Sequence, residues 1–454
     1  MNIIVVGCGK VGGSVAGQLS EEDHNITVID VNRSLVENIS IKYDVIGLIG
    51  NAGSAKVMKQ AGIEHADLLL ALTGNDEINL LCCLLGRTMG TNCKTVARIK
   101  NPIYEEEIDV LKEELGLALV VNSERIAAQE IARVVRFPAA QRVDTFNKGK
   151  VELLKYKIPA ESKFDGCSVA DMNKKYHMDV LICAVEQADG NVVIPNGDFV
   201  LHSKDVISFA TAPHRESQLL QIFGIGKTRT DSCMIIGGGG IAYYLAKQLM
   251  EMKINVTIVE KNPERCQRLA EQLEGAIIIH GDAIDESILE EEGLEQMDAV
   301  AALTNMDETN IILTLFAQKK TKAKLITKVH SLNIDSVMGN MDLDTVVCPK
   351  SVVADMVSQY VRAMGNSVGS NVETLYHLID NRVEALEFII KKGCPLAEKS
   401  LMDLHIKDGV IIASICRGRQ VIIPNGQSVI REGDSVIVVT TRRGINDIVN
   451  ILDY

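Results

Sequence analysis

The chain has 454 residues, a formal net charge of −13, 46% apolar and 24% charged residues, 11 cysteines and no tryptophan. That length exceeds one core and implies several domains, each with enough apolar material to fold. The acidic balance excludes a nucleic-acid-binding surface, which needs clustered Lys and Arg, and no apolar run reaches the ~18 residues of a membrane span. No basic-then-apolar leader opens the chain, so a cytosolic protein is expected. There the scattered cysteines, without a CxxC pair or zinc spacing, read as small apolar residues.

The first segment alternates short Val/Ile/Leu runs with amphipathic stretches. NIIVVG (2–7), NITVID (25–30), VIGLIG (45–50), LLLALT (68–73) and TVARI (95–99) read as strands buried on both faces of a parallel sheet. Helices are predicted between them at Lys10–Leu19, Arg33–Tyr43, Ser54–Ala61 and Glu77–Met89. A further helix at 105–115, a sixth strand in LALVV, and Ser123 as the N-cap of Glu124–Arg136 complete the unit. The alternation gives βαβ units and a doubly wound, Rossmann-like sheet. From about Val151 to Thr211 the period shortens and turns crowd in (KIPA, EQADGN, IPNGD), as in a small α+β module with hairpins. Its apolar supply is thin, so it is expected to pack against a partner copy.

The same grammar then repeats. IIVVGCGKVGG from Ile3 returns as IIGGGGIAYYL from Ile235, and TVID ending at Asp30 as TIVE ending at Glu260. ALTGNDEIN (Ala71 to Asn79) returns as ALTNMDETN (Ala302 to Asn310), and IPNG at Ile194–Gly197 as IPNG at Ile423–Gly426. The predicted domains are a sheet domain over 1–137, a small module over 138–222, a second sheet domain over 230–365 and a second small module over 370–454, with 213–231 as connector. In the second small module REGDSVIVVT (431–440) reads as a turn and strand, matching SKDVISFAT (203–211).

The glycine-rich turns carry the chemistry. Gly7-Cys8-Gly9-Lys10-Val11-Gly12 follows a strand and opens a helix, the context that gives GxGxxG its meaning. Gly7 permits the turn, Gly9 lets a pyrophosphate approach the backbone, and Gly12 lets the helix lie close on the sheet. The helix N-terminus offers free N–H donors and a positive dipole to phosphates. Asp30, ending the second strand, accepts ribose hydroxyls, which favours NAD, AMP, ADP or ATP over a 2′-phosphorylated cofactor. The second half offers Gly237, Gly239, Ala242 and Glu260 in the same places. Gly50-Asn51-Ala52 and Gly281-Asp282-Ala283 end the third strands, where adenosine would lie. Thr73 and Thr304 end the fourth, followed by Asp76 and Asn79 or by Asp307 and Asn310. All of these are expected at the ligand cleft, with Thr-x-x-Asp helix capping as the alternative for the threonines. Arg98 and Lys328 end the fifth strands, where a cation can meet a phosphate. The nine histidines do not recur between halves and none has the context of a general base; His280, beside Gly281, comes nearest. No nucleophile elbow, Walker lysine loop or metal cluster is present, so an enzyme is not expected.

Taken together, these motifs resemble the TrkA family of regulatory subunits of bacterial and archaeal Trk potassium-uptake systems, built from tandem RCK (regulator of potassium conductance) domains. The resemblance covers essentially the whole chain, each half holding an RCK N-terminal and an RCK C-terminal subdomain. It implies a homotetrameric ring, peripheral on the cytoplasmic face of the plasma membrane, beneath a TrkH-type integral membrane potassium transporter. It further implies that NAD, NADH, ADP or ATP on the glycine turns changes the ring and gates potassium flux. The matching positions are Gly7, Gly9, Gly12, Asp30, Asn51, Thr73 and Arg98, and Gly237, Gly239, Glu260, Asp282, Thr304 and Lys328. Some relatives bind cyclic di-AMP in the C-terminal subdomains, which nothing in 151–211 or 373–440 decides. Two other readings stand beside this one: an NAD-dependent oxidoreductase, for which the small modules offer no acid or base, and a scaffold with vestigial nucleotide sites.

Overall fold

A computed structural model describes the chain apart from residues 23, 102–103, 105–106, 138–141, 147–149, 177–179, 212–229, 331–342, 366–371, 380–381, 419, 446 and 454. The sheet part of the first half runs β1 (Asn2–Val6), α1 (Lys10–Ser20), β2 (Asn25–Asp30), α2 (Arg33–Lys42), β3 (Ile46–Ile49), α3 (Ala55–Gln60), β4 (Leu68–Ala71), α4 (Asp76–Met89), β5 (Lys94–Arg98), α5 (Ile108–Leu115), β6 (Leu119–Val121) and α6 (Ser123–Arg136). Its strands are parallel in the order β3-β2-β1-β4-β5-β6, which makes the sheet doubly wound as expected. The chain direction reverses its winding between β1 and β4, and in such sheets ligands bind beyond the strand carboxyl ends at that point.

The small module carries β7 (Arg142–Phe146), β8 (Val151–Lys157), α7 (Val169–Tyr176), β9 (Leu181–Glu186), β10 (Val192–Val193) and β11 (Val206–Thr211). They form an antiparallel sheet ordered β10-β9-β11-β8-β7. The second half repeats both parts. β12 (Ser232–Ile236), α8 (Gly240–Glu251), β13 (Asn255–Glu260), α9 (Pro263–Gln272), β14 (Ile277–His280), α10 (Glu286–Glu291), β15 (Ala299–Ala302), α11 (Asp307–Lys320), β16 (Lys324–Lys328), β17 (Thr345–Val347) and α12 (Pro349–Gly365) build a sheet ordered β14-β13-β12-β15-β16-β17. β18 (Val372–Leu378), β19 (Val383–Ile389), β20 (Val410–Arg417), β21 (Gln420–Ile422) and β22 (Ser435–Thr440) build the second small sheet.

The chain does not divide at its midpoint. One compact unit is Met1–Ala132 with Ser232–Ser358, holding both parallel sheets; the other is Arg133–Asp231 with Gln359–Tyr454, holding both small modules. Within the second unit the expected pairing of modules is present. Phe146, Val151, Leu153 and Cys183 share one buried cluster with Val383, Ala385, Ile437 and Val439. Arg382 Nη2 also donates to Glu186 Oε1 across the modules at 2.6 Å. Each fully buried aliphatic side chain contributes about 1.5–3 kcal/mol, so the shared face adds to the cores that the modules build around Phe164 and Phe388 on their own. The IPNG repeats form turns in which Asn196 Oδ1 and Asn425 Oδ1 accept from Asp198 N and Gln427 N.

Two local expectations are corrected. The third strands are not buried on both faces: Ile46 is 68% and Ile277 58% exposed, because β3 and β14 are sheet edges. Ser123 is not a cap but the first residue of α6; Asn122 takes that role, its Oδ1 accepting from Glu124 N and Arg125 N. An Asn caps as well as a Ser does, and the Ser123 hydroxyl is used elsewhere. None of the described helices is long and apolar enough to cross a membrane.

Candidate functional site

At the first glycine turn the backbone leaves no choice of residue. Gly7 has φ +97°, and a Cβ on it would stand 3.0 Å from the Thr73 backbone. A Cβ on Gly12 would stand 1.8 Å from Gly7 O, so α1 lies on the turn with no room for a methyl. Gly9 is the N-cap of α1 with nothing within 4 Å of its missing side chain, an open approach to the helix N-terminus. Asp30 is held by the turn it serves: Oδ2 accepts from Cys8 N at 2.7 Å and Oδ1 from Asn32 N at 2.8 Å. Burial first, and then the charge of Asp30, push the Cys8 thiol up to about 12, so it is no nucleophile at neutral pH.

Beneath the cleft, one amide ties two strand ends together. Asn79, fully buried, accepts from Thr73 N (2.9 Å) and Thr73 Oγ1 (2.7 Å) and donates to Arg98 O (2.8 Å). Asn310 repeats this with Thr304 N (2.8 Å), Thr304 Oγ1 (2.7 Å) and Lys328 O (2.9 Å). Asp76 Oδ2 accepts from Lys100 N and Asn101 N, as Asp307 Oδ2 accepts from His330 N. Asp76, Asn79 and Asn310 are therefore buried ties under the cleft rather than faces of it. The threonine-capping alternative also gives way: Asn75 caps α4, its side chain accepting from Ile78 N, while the Thr73 hydroxyl serves Asn79.

A cavity of about 790 Å³ opens above these ties. Of the predicted residues it brings together Gly7, Gly9, Lys10, Val11, Asp30, Asn51, Ala52, Thr73 and Arg98 from the first half with Gly239 and Lys328 from the second. Gly12 lies behind the turn. Gly237, Ala242, Glu260, Asp282, Ala283 and Thr304 are outside its lining. Gly237 has φ +98° and Gly239 caps α8, so the second turn copies the first in backbone. Its acid makes the same two backbone bonds as Asp30, Oε2 accepting from Gly238 N (2.7 Å) and Oε1 from Asn262 N (2.8 Å), but Glu260 is only 5% exposed and its Oε2 also accepts from Arg265 Nη1 at 3.5 Å. Asp282 is exposed and accepts from Ile284 N, while Ala242 and Ala283 are buried.

The strand-end cations also differ. Arg98 Nη2 donates to Ser123 Oγ at 2.9 Å, and its buried Nε has no hydrogen-bond partner among the described residues. Desolvation lowers the Arg98 pKa against the raising influence of Glu124 and Asp76. Lys328 donates to Leu303 O at 3.0 Å. Desolvation pulls it down to about 8, against Asp307 and Glu124, with Lys10 adding to the depression. Sequence reasoning missed Lys100, Ser123, Glu124, Gly240, His330 and Lys350, all of which line the cavity. The repeat register was the available signal for Lys100 and His330, which follow the strand-end cations at equivalent positions. His330 Nδ1 lies 2.7 Å from Asp307 Oδ1, whereas His280 is exposed, 3.2 Å from Lys261 O, and outside the lining. An orphaned guanidinium N–H, an open helix N-terminus and several cations suit a phosphate-bearing ligand.

Two parallel doubly wound sheets with paired antiparallel modules define the tandem TrkA-N/TrkA-C class: TrkA-N domains match residues 3–123 and 233–349, and TrkA-C domains match 153–224 and 385–453. The chain belongs to the TrkA family of Trk potassium-uptake systems. It is 33% identical over 438 residues to a Trk system potassium uptake protein TrkA homolog of Archaeoglobus fulgidus, covering 96% of this chain and 97% of the relative. It is 29% identical to the Trk system potassium uptake protein TrkA of Vibrio alginolyticus over 454 residues, covering 99% and 98%. The RCK domain of GsuK shares the fold at TM-score 0.62 and 18% identity, covering 96% of this chain and 92% of that one. A GsuK channel bound to NAD matches at TM-score 0.62 and 17% identity, covering 97% and 76%.

Proposed function

We propose that the chain is a cytoplasmic, nucleotide-sensing regulatory subunit that gates a TrkH-type membrane potassium transporter, working as a peripheral homotetrameric ring rather than as an enzyme. The observation that carries this is the cavity lined by residues of both parallel sheets, so that one ligand touches both. A ligand shifts a conformational equilibrium only by its differential affinity for two states. A group bound between two sheets is sensitive to their relative placement, whereas one bound to a single sheet is not.

In this reading Asp30 takes the ribose of NAD, NADH, ADP or ATP, Asn51 and Ala52 lie beside the adenosine, and Gly7 and Gly9 with Lys10 and Val11 receive the phosphates, Gly12 letting α1 lie against the turn that does so. Thr73 and Arg98 follow along the phosphate path. From the second half Gly239 and Lys328 complete the cavity, while Gly237, Ala242, Glu260, Asp282, Ala283 and Thr304 stand at the corresponding places around the second half's own turn. The NAD in the GsuK structure is that protein's ligand and supports the class of molecule only. The boundaries 1–137, 138–222, 230–365 and 370–454 separate sensing sheets from small modules. Calorimetric titration of the full chain with NADH, ADP and ATP, followed by potassium flux through a co-purified membrane partner, tests the reading. Absence of binding by all three at millimolar concentration sinks it.

A further inference from the structure

Two residues at equivalent places of the two halves line the cavity with opposite charge. β5 pairs with β6 so that Arg98 stands opposite Val121, and β16 pairs with β17 so that Lys328 stands opposite Val347. Three residues beyond those valines lie Glu124 and Lys350, equivalent positions with inverted charge, both in the lining of the cavity. Glu124 reaches across to the second half: a Cβ placed on Gly240 would stand 1.8 Å from Glu124 Oε2. Gly240 is the first residue of α8, immediately after its N-cap Gly239.

Asn122 fixes this approach from both sides. Its Oδ1 accepts from Glu124 N and Arg125 N, while its Nδ2 donates to Tyr244 OH on α8 at 3.0 Å. Around the Glu124 carboxylate stand Arg98, Lys100 and Lys328, each of which feels its charge. A carboxylate at a helix N-terminus, among cations, is the chemical equivalent of a phosphate oxygen in the same place.

We propose that Glu124 is a built-in anion that occupies the second turn, so that the chain accepts nucleotide phosphates at the first turn only, with Lys350 as the matching cation there. The second turn keeps the glycine backbone of a phosphate site and carries its own resident acid. A polyphosphate at that turn meets like charge and must displace Glu124. At the first turn it meets Lys10, Arg98 and Lys350.

This inference rests on the nucleotide-binding reading above, and calorimetry of the full chain with ATP separates the two. Wild type binds one ATP per chain. Glu124→Gln, which keeps size and one acceptor oxygen but removes the charge, binds a second with at least 10-fold higher affinity than wild type shows for any second event. Lys350→Gln weakens the first event 3- to 10-fold for ATP and less for AMP. Two equal events in wild type, or a stoichiometry fixed at one in Glu124→Gln, overturns the inference and leaves the nucleotide reading standing. No ATP bound by either protein overturns both. A readout without nucleotide checks the contact itself: Gly240→Ala lowers the melting temperature in wild type and lowers it less in a Glu124→Ala background. Equal losses in the two backgrounds would show that Glu124 does not occupy the turn.

Discussion

Set side by side, the two glycine turns share a backbone, the acid's bonds to it and the buried Thr–Asn tie, and differ in the helix residue at Gly12/Ala242, in the burial of the acid and in the strand-end cation. The first has Gly12 pressed against Gly7 O, a short acid in Asp30 and an arginine with a free buried N–H. The second has Ala242, a longer and buried Glu260 that makes the same two backbone bonds but also meets Arg265, and a lysine that donates to Leu303 O. The peptide geometry of a phosphate turn is thus compatible with two different uses. Function follows from the side chains, since the turn alone is common to both.

The largest expected effect tests the tight side of that contrast. Gly12→Val should abolish nucleotide binding and cost about 1–3 kcal/mol or more in chemical denaturation, as overpacking does, because its Cβ would meet Gly7 O. Ala242→Val should cost less, since the second turn already holds a methyl. Equal losses would erase the distinction between the turns. Next come Asn79→Ala and Asn310→Ala. Each strands buried backbone groups at two strand ends, so a loss of about 2–3 kcal/mol is expected from either, and the two should match within ~0.5 kcal/mol if the ties are equivalent.

Smaller effects separate the cations. Arg98→Ala should weaken ATP about 10-fold, roughly 1.4 kcal/mol, and lower the ATP-to-ADP affinity ratio; an unchanged ratio would remove Arg98 from the phosphate path. The smallest effect is in pH. Lys328 is charged below about 8 and neutral above it, so ATP affinity should fall a few-fold as pH rises through 8, and Lys328→Arg should flatten that slope. For folding the sign is opposite. The depressed folded pKa means that the unfolded chain binds more protons between about 8 and the ordinary lysine value, so stability rises with pH across that window. A flat binding profile in wild type would show that Lys328 does not serve the ligand.

Much of the fold was legible because periodicity records burial: strand positions, helix positions and the duplication all follow from local patterns. The exposure of Ile46 and Ile277 was not, since an apolar run reads the same at a sheet edge as at its centre. Asn122 was overlooked as a cap because Ser123 beside it is an equally good capping residue by type. The Asn79 and Asn310 ties were visible as repeated letters but not as roles, because a buried amide and a ligand-facing one have the same spelling. Glu124 and Lys350 were beyond reach for another reason. Glu124 meets the turn of the other half at Gly240 and Lys350 lines the cavity both halves share, and no local pattern records a neighbour over a hundred residues away.

The core shared by Phe146, Val151 and Leu153 with Val383, Ala385 and Val439 also makes a point about symmetry. Two identical separate chains meeting through such a face must present the same residue to each other on both sides, so an acid on one is an acid on both. Covalent fusion removes that obligation. It supplies each half with the other as its partner within the chain, so substitutions in one half no longer appear in its mate. Charge inversion between Glu124 and Lys350 is open to a fused pair of this kind and closed to a strict homodimer.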